Sequence, residues 1–172
     1  MKIDNIRIGK KLLSMVILAL SLLIAMNAYS VLTQSQSSMQ ERKAKLQAQV
    51  TTTISLTKYF YAQQDLLGSE VAKQQAINAI QALRYDGNNY FWITNPQQHI
   101  IMHPTKPKLN GQDASNFKDA SGKFHWREMA QISQTTGQGF LKYTWNNPQN
   151  ENLDKISYVA YFPEWDWIIG SG

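Results

Sequence analysis

The sequence of 172 residues contains no cysteine. This absence excludes disulfide bridges, thiolate zinc sites and a cysteine nucleophile. The P-loop, GxGxxG, GxSxG and HExxH motifs are also missing, and no nucleophile or carboxylate stands beside a histidine in the sequence. We therefore expect the chain not to be an enzyme, to have no catalytic residues and to need no cofactor.

Histidine is scarce as well, with only His99, His103 and His125 in the chain. His99 and His103 share one face of a predicted strand but lie about 13 Å apart along it. That separation is too large for a single tetrahedral ion. We expect no metal site.

The formal net charge of +5 is unevenly placed. The first eleven residues hold four basic residues and one acidic residue, so most of the excess precedes the folded part. A nucleic-acid-binding protein usually clusters its basic residues on the folded domain. We expect no nucleic-acid partner.

The run from Leu12 to Leu32 contains no charged residue. As a helix it is about 31 Å long, which matches the hydrocarbon thickness of a membrane. The positive flank predicts a cytoplasmic N-terminus at 1–11, a membrane helix at 12–32 and an extracytoplasmic domain at 33–172. A signal peptide cleaved after Ala28 is the alternative, but the run is longer than a typical signal core and Met26 fits the −3 position poorly.

Apolar residues at helical spacing follow the membrane run. They predict a long helix from Thr33 to Leu67 that continues directly from the membrane helix. A break at Gly68-Ser69 follows, and then a second helix from Glu70 to Leu83 with Ser69 as its cap. The long helix has more apolar positions than one small sheet can bury. We therefore expect it to pair with a second copy, giving a homodimer.

From Asp86 onwards the sequence pattern becomes that of β-strands and turns. "YFWIT" and "HIIMH", separated by "NPQQ", predict a hairpin. A loop rich in Pro, Gly, Asn and Asp follows, and then a short helix, "FHWREMAQISQTT", closed by Gly137. "GFLKYTWNNP", "KISYVAYF" and "WDWIIG" predict three more strands. The order indicates an α+β fold with an antiparallel sheet of about five strands.

Four blocks of sequence between Arg84 and Gly172 are distinctive: "RYDGNNYFWI", "MHPTKPKLNG", "GQGFLKYTWNNP" and "KISYVAYFPEWDWIIGSG". Together they resemble the signature of the single Cache (Cache type 2) sensor domain of bacterial methyl-accepting chemotaxis proteins and sensor kinases. The resemblance implies a PAS-like sheet packed on a long N-terminal helix. It also implies a periplasmic domain and a small-molecule ligand such as a short carboxylate. Together with the charge-flanked apolar run, this predicts a chain anchored in the inner membrane by a single N-terminal pass. In receptors of this family the last strand continues into a second membrane helix, and Gly172 stands where that connection would begin.

Aromatic residues are the first candidates for the ligand site. Trp92 shares a strand face with Tyr90, whereas Phe91 and Ile93 take the other face. We expect the Trp92 face to line the pocket. Tyr143 and Trp145 likewise share a face, and an aromatic wall with a hydroxyl suits a small organic acid. The alternative is an ordinary aromatic core.

Three polar residues complete the candidates. His103, at a strand end, either rims the pocket or holds the loop in place by a hydrogen bond. Lys155 opens its strand, and Arg84 ends the second helix; each could supply positive charge. The resemblance favours Lys155 in the pocket, whereas Arg84 is expected to have a structural role, tying the end of the second helix to the sheet. Trp165 and Trp167 are expected in the core.

These observations predict a membrane-anchored sensor domain that binds a small metabolite. A dimerisation or interaction module without a ligand is the alternative, and a periplasmic enzyme is the third possibility.

Overall fold

The computed structural model describes residues 8–146 and 151–172. Lys2 and Arg7 of the positive flank, and the centre of the predicted turn before Lys155, lie outside the described residues. The helices are α1 (Ile8–Tyr61), α2 (Gln64–Leu67), α3 (Ser69–Ala82) and α4 (His125–Thr136). The strands are β1 (Phe91–Thr94), β2 (Ile100–Met102), β3 (Gln138–Asn146), β4 (Asn152–Phe162) and β5 (Trp167–Ser171).

Backbone contacts divide the chain into two compact units, Met1–Arg42 and Lys43–Gly172. In the first unit the large apolar side chains between Leu12 and Leu32 are exposed. Among the described residues, α1 is the one helix long and apolar enough to cross a membrane, with a mean hydropathy of 2.2 over its most apolar window. Length and composition therefore meet the requirement for the predicted anchor, and a signal sequence meets the same requirement.

The helix bounds differ in part from the prediction. The membrane run and the following helix are continuous in α1, as expected, but α1 ends at Tyr61 rather than Leu67. The backbone N–H of Gln63 donates to the carbonyl of Phe60 at 3.0 Å. This bond spans three residues instead of four, so the helix ends in a tighter turn. The break at Gly68, with φ of 85°, is confirmed. Ser69 is the first residue of α3 and makes no capping hydrogen bond, so its predicted role as the cap was wrong.

The five-stranded antiparallel sheet is confirmed, with strand order β2-β1-β5-β4-β3. The last three strands form the predicted meander, and β1 pairs with β5 in the centre of the sheet. The short helix α4 ends at Gly137, whose φ of 77° is left-handed. This arrangement places the end of the chain beside the hairpin that contains Trp92.

The two sides of the sheet pack against different elements. On the side called here the helix face, Phe91 and Ile93 pack with residues of α1 and α3. On the side called the loop face, Tyr90 and Trp92 pack with α4 and with residues of the segment 104–124. The alternation predicted for β1 is therefore confirmed. Trp165 and Trp167 lie in the core of the helix face, also as expected.

Candidate ligand-binding site

The side chain of Lys155 occupies a cage of three aromatic rings on the loop face. Its Nζ atom lies 4.8 Å from the ring centre of Tyr90, 5.2 Å from that of Trp92 and 5.4 Å from that of Trp145. At such distances the faces of aromatic rings attract a cation. We call these three rings the aromatic cage.

Lys155 does not open its strand, contrary to the sequence prediction. Pairing between β3 and β4 continues as far as Asn146 and Asn152, so the strand begins before Lys155. Lys155 consequently lies within the sheet, opposite Tyr143, and its side chain is half-buried.

The ammonium group of Lys155 has no acidic partner within the described residues. Its one hydrogen bond there runs to the hydroxyl of Tyr90, at a long 3.4 Å. Burial, with a smaller contribution from the nearby charge of Lys106, lowers the pKa of Lys155 to about 8. A partly desolvated cation in this position would be stabilised by an anion.

His103 lies against the cage and is almost fully buried, with 1% of its surface exposed. Its ring stacks on Trp145 at 5.4 Å and on Trp92 at 6.5 Å between ring centres. Its Nδ1 atom accepts the backbone N–H of Lys106 at 3.1 Å. The neutral ring therefore carries its hydrogen on Nε2, which makes that atom a donor.

The environment of His103 keeps the ring neutral. Burial, together with the charges of Lys155 and Lys106, lowers the pKa of His103 to about 3. The backbone N–H of His103 donates to Oδ1 of Asn110 at 2.7 Å, which fastens the strand end to the loop. His103 thus has the loop-holding contacts that the sequence suggested as one of its two possible roles.

Trp92 owes its position to a glycine on the neighbouring strand. It pairs across the sheet with Gly170, and a Cβ atom added at Gly170 would lie 2.5 Å from the indole. Only a residue without a side chain permits this close approach. The indole forms the floor of the cage for this reason.

Tyr143 is buried on the same face, but its hydroxyl shares a hydrogen bond with Ser157 at 3.1 Å. Burial raises its pKa, so the hydroxyl stays protonated. Arg84 is exposed, and its guanidinium donates to the carbonyls of Gln81 and Leu83, both at 2.7 Å. These bonds hold the guanidinium at the end of α3 itself, and within the described residues Arg84 makes no hydrogen bond to the sheet, so the predicted tie between helix end and sheet is not seen.

A cavity of about 470 Å³ adjoins the cage. Trp145 belongs to both, and Lys106 and His125 line the cavity. The Nζ atom of Lys106 lies 4.4 Å from the ring centre of Trp145 and donates to the carbonyl of Asn146 at 2.5 Å. The other described residues of the lining are Leu109, Asn116, Phe117, Lys118, Asp119, Ala120, Trp126, Thr144 and Asn146.

Asp119 is the acidic residue of this lining, but its carboxylate is already engaged. It accepts the backbone N–H groups of Ser121, Lys123 and Thr144 at 2.8–2.9 Å. Desolvation opposes ionisation, but the hydroxyl of Ser121, which donates to Oδ1 at 2.7 Å, and these backbone bonds together lower the pKa of Asp119 to about 2. Asp119 ties the loop to β3 and makes no ion pair with Lys155 or Lys106 in the described structure.

The sequence analysis missed Tyr90, Lys106 and His125 as site residues. Tyr90 was placed on the correct face of β1 but not proposed as a contact. Lys106 follows the His-Pro pair closely, and His125 stands beside Trp126 at the start of a predicted helix. These neighbours could have drawn attention to both residues. The folding of the segment 104–124 over the sheet, which brings them to the cage, has no signature in the local sequence.

A family model described as a Cache domain matches residues 13–172. The chain belongs to the Cache domain family. The methyl-accepting chemotaxis protein McpP of Pseudomonas putida is 33% identical over 172 residues, covering 98% of this chain and 31% of the relative. The sensor histidine kinase MctS of Rhizobium johnstonii is 26% identical over 146 residues, covering 83% of this chain and 31% of the relative. The chain therefore spans about a third of the length of these relatives.

Two solved Cache-family structures have the same fold. A periplasmic sensor domain of a chemotaxis protein is 36% identical, with a TM-score of 0.76 over 78% of this chain and 95% of that one. A Cache chemosensory domain described for its carboxylic acid recognition is also 36% identical, with a TM-score of 0.76 over 80% of this chain and 95% of that one. The predicted single Cache sensor domain, with its PAS-like α+β fold, is confirmed.

Proposed function

We propose that the loop face of the sheet binds a short carboxylate, with Lys155 as the partner of its negative charge. The observation that carries this proposal is the half-buried ammonium, which has three aromatic rings and one tyrosine hydroxyl around it and no acidic partner within the described residues. The solved relative that recognises carboxylic acids supports the same ligand class.

The charges around the cage favour an anion. Lys155 and Lys106 are close enough for each other's charge to matter, and His103 is neutral. Asp119 is ionised, but within the described residues it makes no ion pair with either lysine. A bound carboxylate would remove part of the repulsion between the two lysines.

The shape of the site suits a small organic acid. In our proposal the carboxylate accepts hydrogen bonds from Lys155 and from the hydroxyl of Tyr90, with the Nε2–H of His103 as a third donor. Its hydrocarbon part packs on the rings of Trp92 and Trp145. Such a combination of apolar walls and a few converging polar groups is typical of small-molecule sites.

We further propose that residues 12–32 anchor the chain in the inner membrane and that residues 33–172 form the periplasmic sensor domain. The exposed apolar run and the periplasmic relative support this placement. A reporter enzyme fused after Leu32 should be active in the periplasm and remain with the membrane fraction; release of a shortened soluble protein would show a cleaved signal peptide. Pairing of α1 with a second copy, and the transmission of a signal by a longer receptor, stay predictions.

Calorimetric titration with two- to four-carbon carboxylates tests the ligand assignment. Lys155→Ala should weaken binding about tenfold to a hundredfold, because a hydrogen bond to a charged group contributes about 1.5–3 kcal/mol. Lys142→Ala is the matched control, since Lys142 is exposed in β3 and outside the cage.

Two outcomes would count against the assignment. If Lys155→Ala binds as tightly as the unchanged chain, another group holds the carboxylate, and Lys106 is the next cation to test. If no carboxylate binds the unchanged chain at millimolar concentration, the alternative of an interaction module without a ligand gains support.

A further inference from the structure

Lys155 is a half-buried amine whose described surroundings contain positive charge and hydrogen-bond donors but no acidic partner. It takes part in none of the ion pairs of the described residues. Its Nζ atom lies 3.4 Å from the hydroxyl of Tyr90 and within 5.4 Å of the ring centres of the aromatic cage. Because part of the side chain stays exposed, a small uncharged molecule has access to it from solvent.

The reactive form of a lysine is the neutral amine, because only that form has a free lone pair on nitrogen. A lysine with the ordinary pKa of 10.5 is almost entirely ammonium near pH 7. Burial, with a smaller contribution from the charge of Lys106, lowers the pKa of Lys155 to about 8. About a tenth of the Lys155 side chains are therefore neutral at pH 7. Desolvation beside a second cation is a known way in which proteins make a lysine nucleophilic.

The neighbours of Nζ favour an adduct that carries negative charge. Carbon dioxide gives such an adduct with an amine. The lone pair of Nζ forms a bond to carbon, one electron pair of a C=O double bond moves to its oxygen, and Nζ releases a proton to water. The product is a carbamate, which is a carboxylate attached to the lysine nitrogen, and no oxidant or reductant is required.

The carbamate would replace a positive charge by a negative one in the middle of the site. The repulsion between Lys155 and Lys106 would become an attraction, since the two side chains already act on each other's charge. The hydroxyl of Tyr90 and the Nε2–H of the neutral His103 are further donors beside the cage. Hydrogen bonds and ion pairs of this kind are strong when one partner is charged.

We infer that Lys155 is a site of reversible carboxylation by dissolved carbon dioxide, which forms a carbamate inside the aromatic cage. The inference goes beyond the proposed function, because it depends on the surroundings of the amine and on no other ligand. It also adds a regulated state to the same site. A chain with the carbamate already holds a negative charge beside Lys106 and should not bind a carboxylate ligand.

Isotope labelling tests the covalent bond on the full chain in lipid nanodiscs. Protein that carries ¹⁵N only at the lysine side chains is equilibrated at about pH 7.5 with ¹³C-labelled bicarbonate and carbon dioxide. We expect a carbamate carbon resonance that is split by a one-bond coupling to ¹⁵N. Bicarbonate bound without a covalent bond gives no such coupling. The amino group of Met1 also forms carbamates, since chain termini have a pKa near 8, but it contains no label.

Variants assign the resonance to one lysine. Lys155→Arg should remove it, because a guanidinium stays protonated and has no free lone pair. Lys142→Arg is the matched control and should retain it, since Lys142 is exposed in β3 and outside the cage. Lys106→Met should raise the carbon dioxide concentration for half occupancy about tenfold, because the carbamate loses its charged partner.

Chemical trapping on the unchanged chain covers the case in which Lys155→Arg does not fold. Triethyloxonium alkylates a carbamate to a stable ethyl carbamate, which tandem mass spectrometry assigns to a residue. We expect it on Lys155 in preference to the exposed lysines. The inference is overturned if no coupled resonance appears at saturating carbon dioxide, if the resonance survives in folded Lys155→Arg, or if the trapped group lies only on other lysines.

Failure of the proposed function has a different signature. If the carbamate forms on Lys155 but Lys155→Ala does not weaken the binding of any carboxylate, the inference stands and the carboxylate assignment fails. If Lys155→Ala weakens carboxylate binding but the unchanged chain forms no carbamate, the carboxylate assignment stands and the inference is rejected.

Discussion

The two faces of the sheet bury different kinds of side chain: mainly apolar ones on the helix face, and polar ones as well on the loop face. On the helix face, Ile93, Val50 and Ile80 are fully buried in apolar contact. On the loop face, burial extends to two histidines whose pKa values are lowered by it, and partly to Lys155. The first face gains free energy from the burial of apolar surface, whereas the second buries groups that prefer water.

This contrast assigns different tasks to the two faces. Apolar packing against α1 and α3 stabilises the fold, and the buried polar group without a hydrogen bond on this face is the neutral hydroxyl of Tyr158. The loop face includes an ammonium without an anion and an imidazole without a hydrogen bond in the described structure. Such unfavourable groups are common at functional sites, where a ligand supplies what the protein lacks. We therefore expect substitutions on the two faces to separate stability from binding.

The largest expected effect is on the helix face. Ile93→Ala should lower the free energy of unfolding by about 2–5 kcal/mol, because it removes fully buried methyl groups and leaves a cavity. Ligand affinity of the remaining folded protein should be unchanged. Urea unfolding followed by tryptophan fluorescence measures the first quantity, and calorimetry the second. Lys155→Met should do the opposite: it should weaken ligand binding and leave the free energy of unfolding nearly unchanged. If both variants lose affinity equally, the distinction between the two faces is wrong.

Gly170→Ala should affect both properties. The added Cβ atom meets the indole of Trp92 at 2.5 Å, so the floor of the cage must move. We expect a loss of about 1–3 kcal/mol in unfolding free energy, the usual range for overpacking, together with weaker carboxylate binding. Gly139→Ala is the matched control, because its Cβ atom meets the side chain of Ile132 at the same 2.5 Å, away from the cage. If both variants bind normally, Trp92 does not form part of the site.

The pH dependence of binding sharpens the comparison further. The pKa of Lys155 is about 8 in the folded chain, against an ordinary value of 10.5. The unfolded chain therefore binds more protons between these values, so the free energy of unfolding should rise with pH in this window. Carboxylate binding needs the ammonium form and should be about tenfold weaker at pH 9 than at pH 7. Calorimetric titrations at several pH values measure this change in affinity. If Lys155→Arg binds the carboxylate, its affinity should not change with pH over this range. An affinity of the unchanged chain that is independent of pH would contradict the role of Lys155.

Much of the fold followed from local sequence patterns. Alternation in "YFWIT" placed Phe91 and Ile93 against the helices, and Gly137 ended the short helix as expected. The end of α1 was less predictable, because the segment before Gly68 keeps a helical pattern while its backbone turns at Gln63. The spacing of apolar residues along the sequence predicts which of them are buried. A local change in helix geometry hardly alters that spacing, so the sequence does not predict where the helix ends.

The candidate site was only partly predictable. Trp92, His103, Tyr143, Trp145 and Lys155 do lie together on the loop face, although their role in binding stays a prediction. Arg84 is bonded to the end of α3, although its charge acts on the hydroxyl of Tyr90. The neighbours of Lys155 depend on how far β4 extends and on how the segment 104–124 crosses the sheet, and both are set by contacts between residues distant in sequence.

The central claim is that the aromatic cage recognises negative charge. The most direct measurement compares the tightest-binding carboxylate of the panel with its primary amide, which has nearly the same shape but no charge. We predict that the amide binds the unchanged chain at least about tenfold more weakly, because it loses the charge-assisted bond to Lys155. Equal affinity for the acid and the amide would contradict the claim.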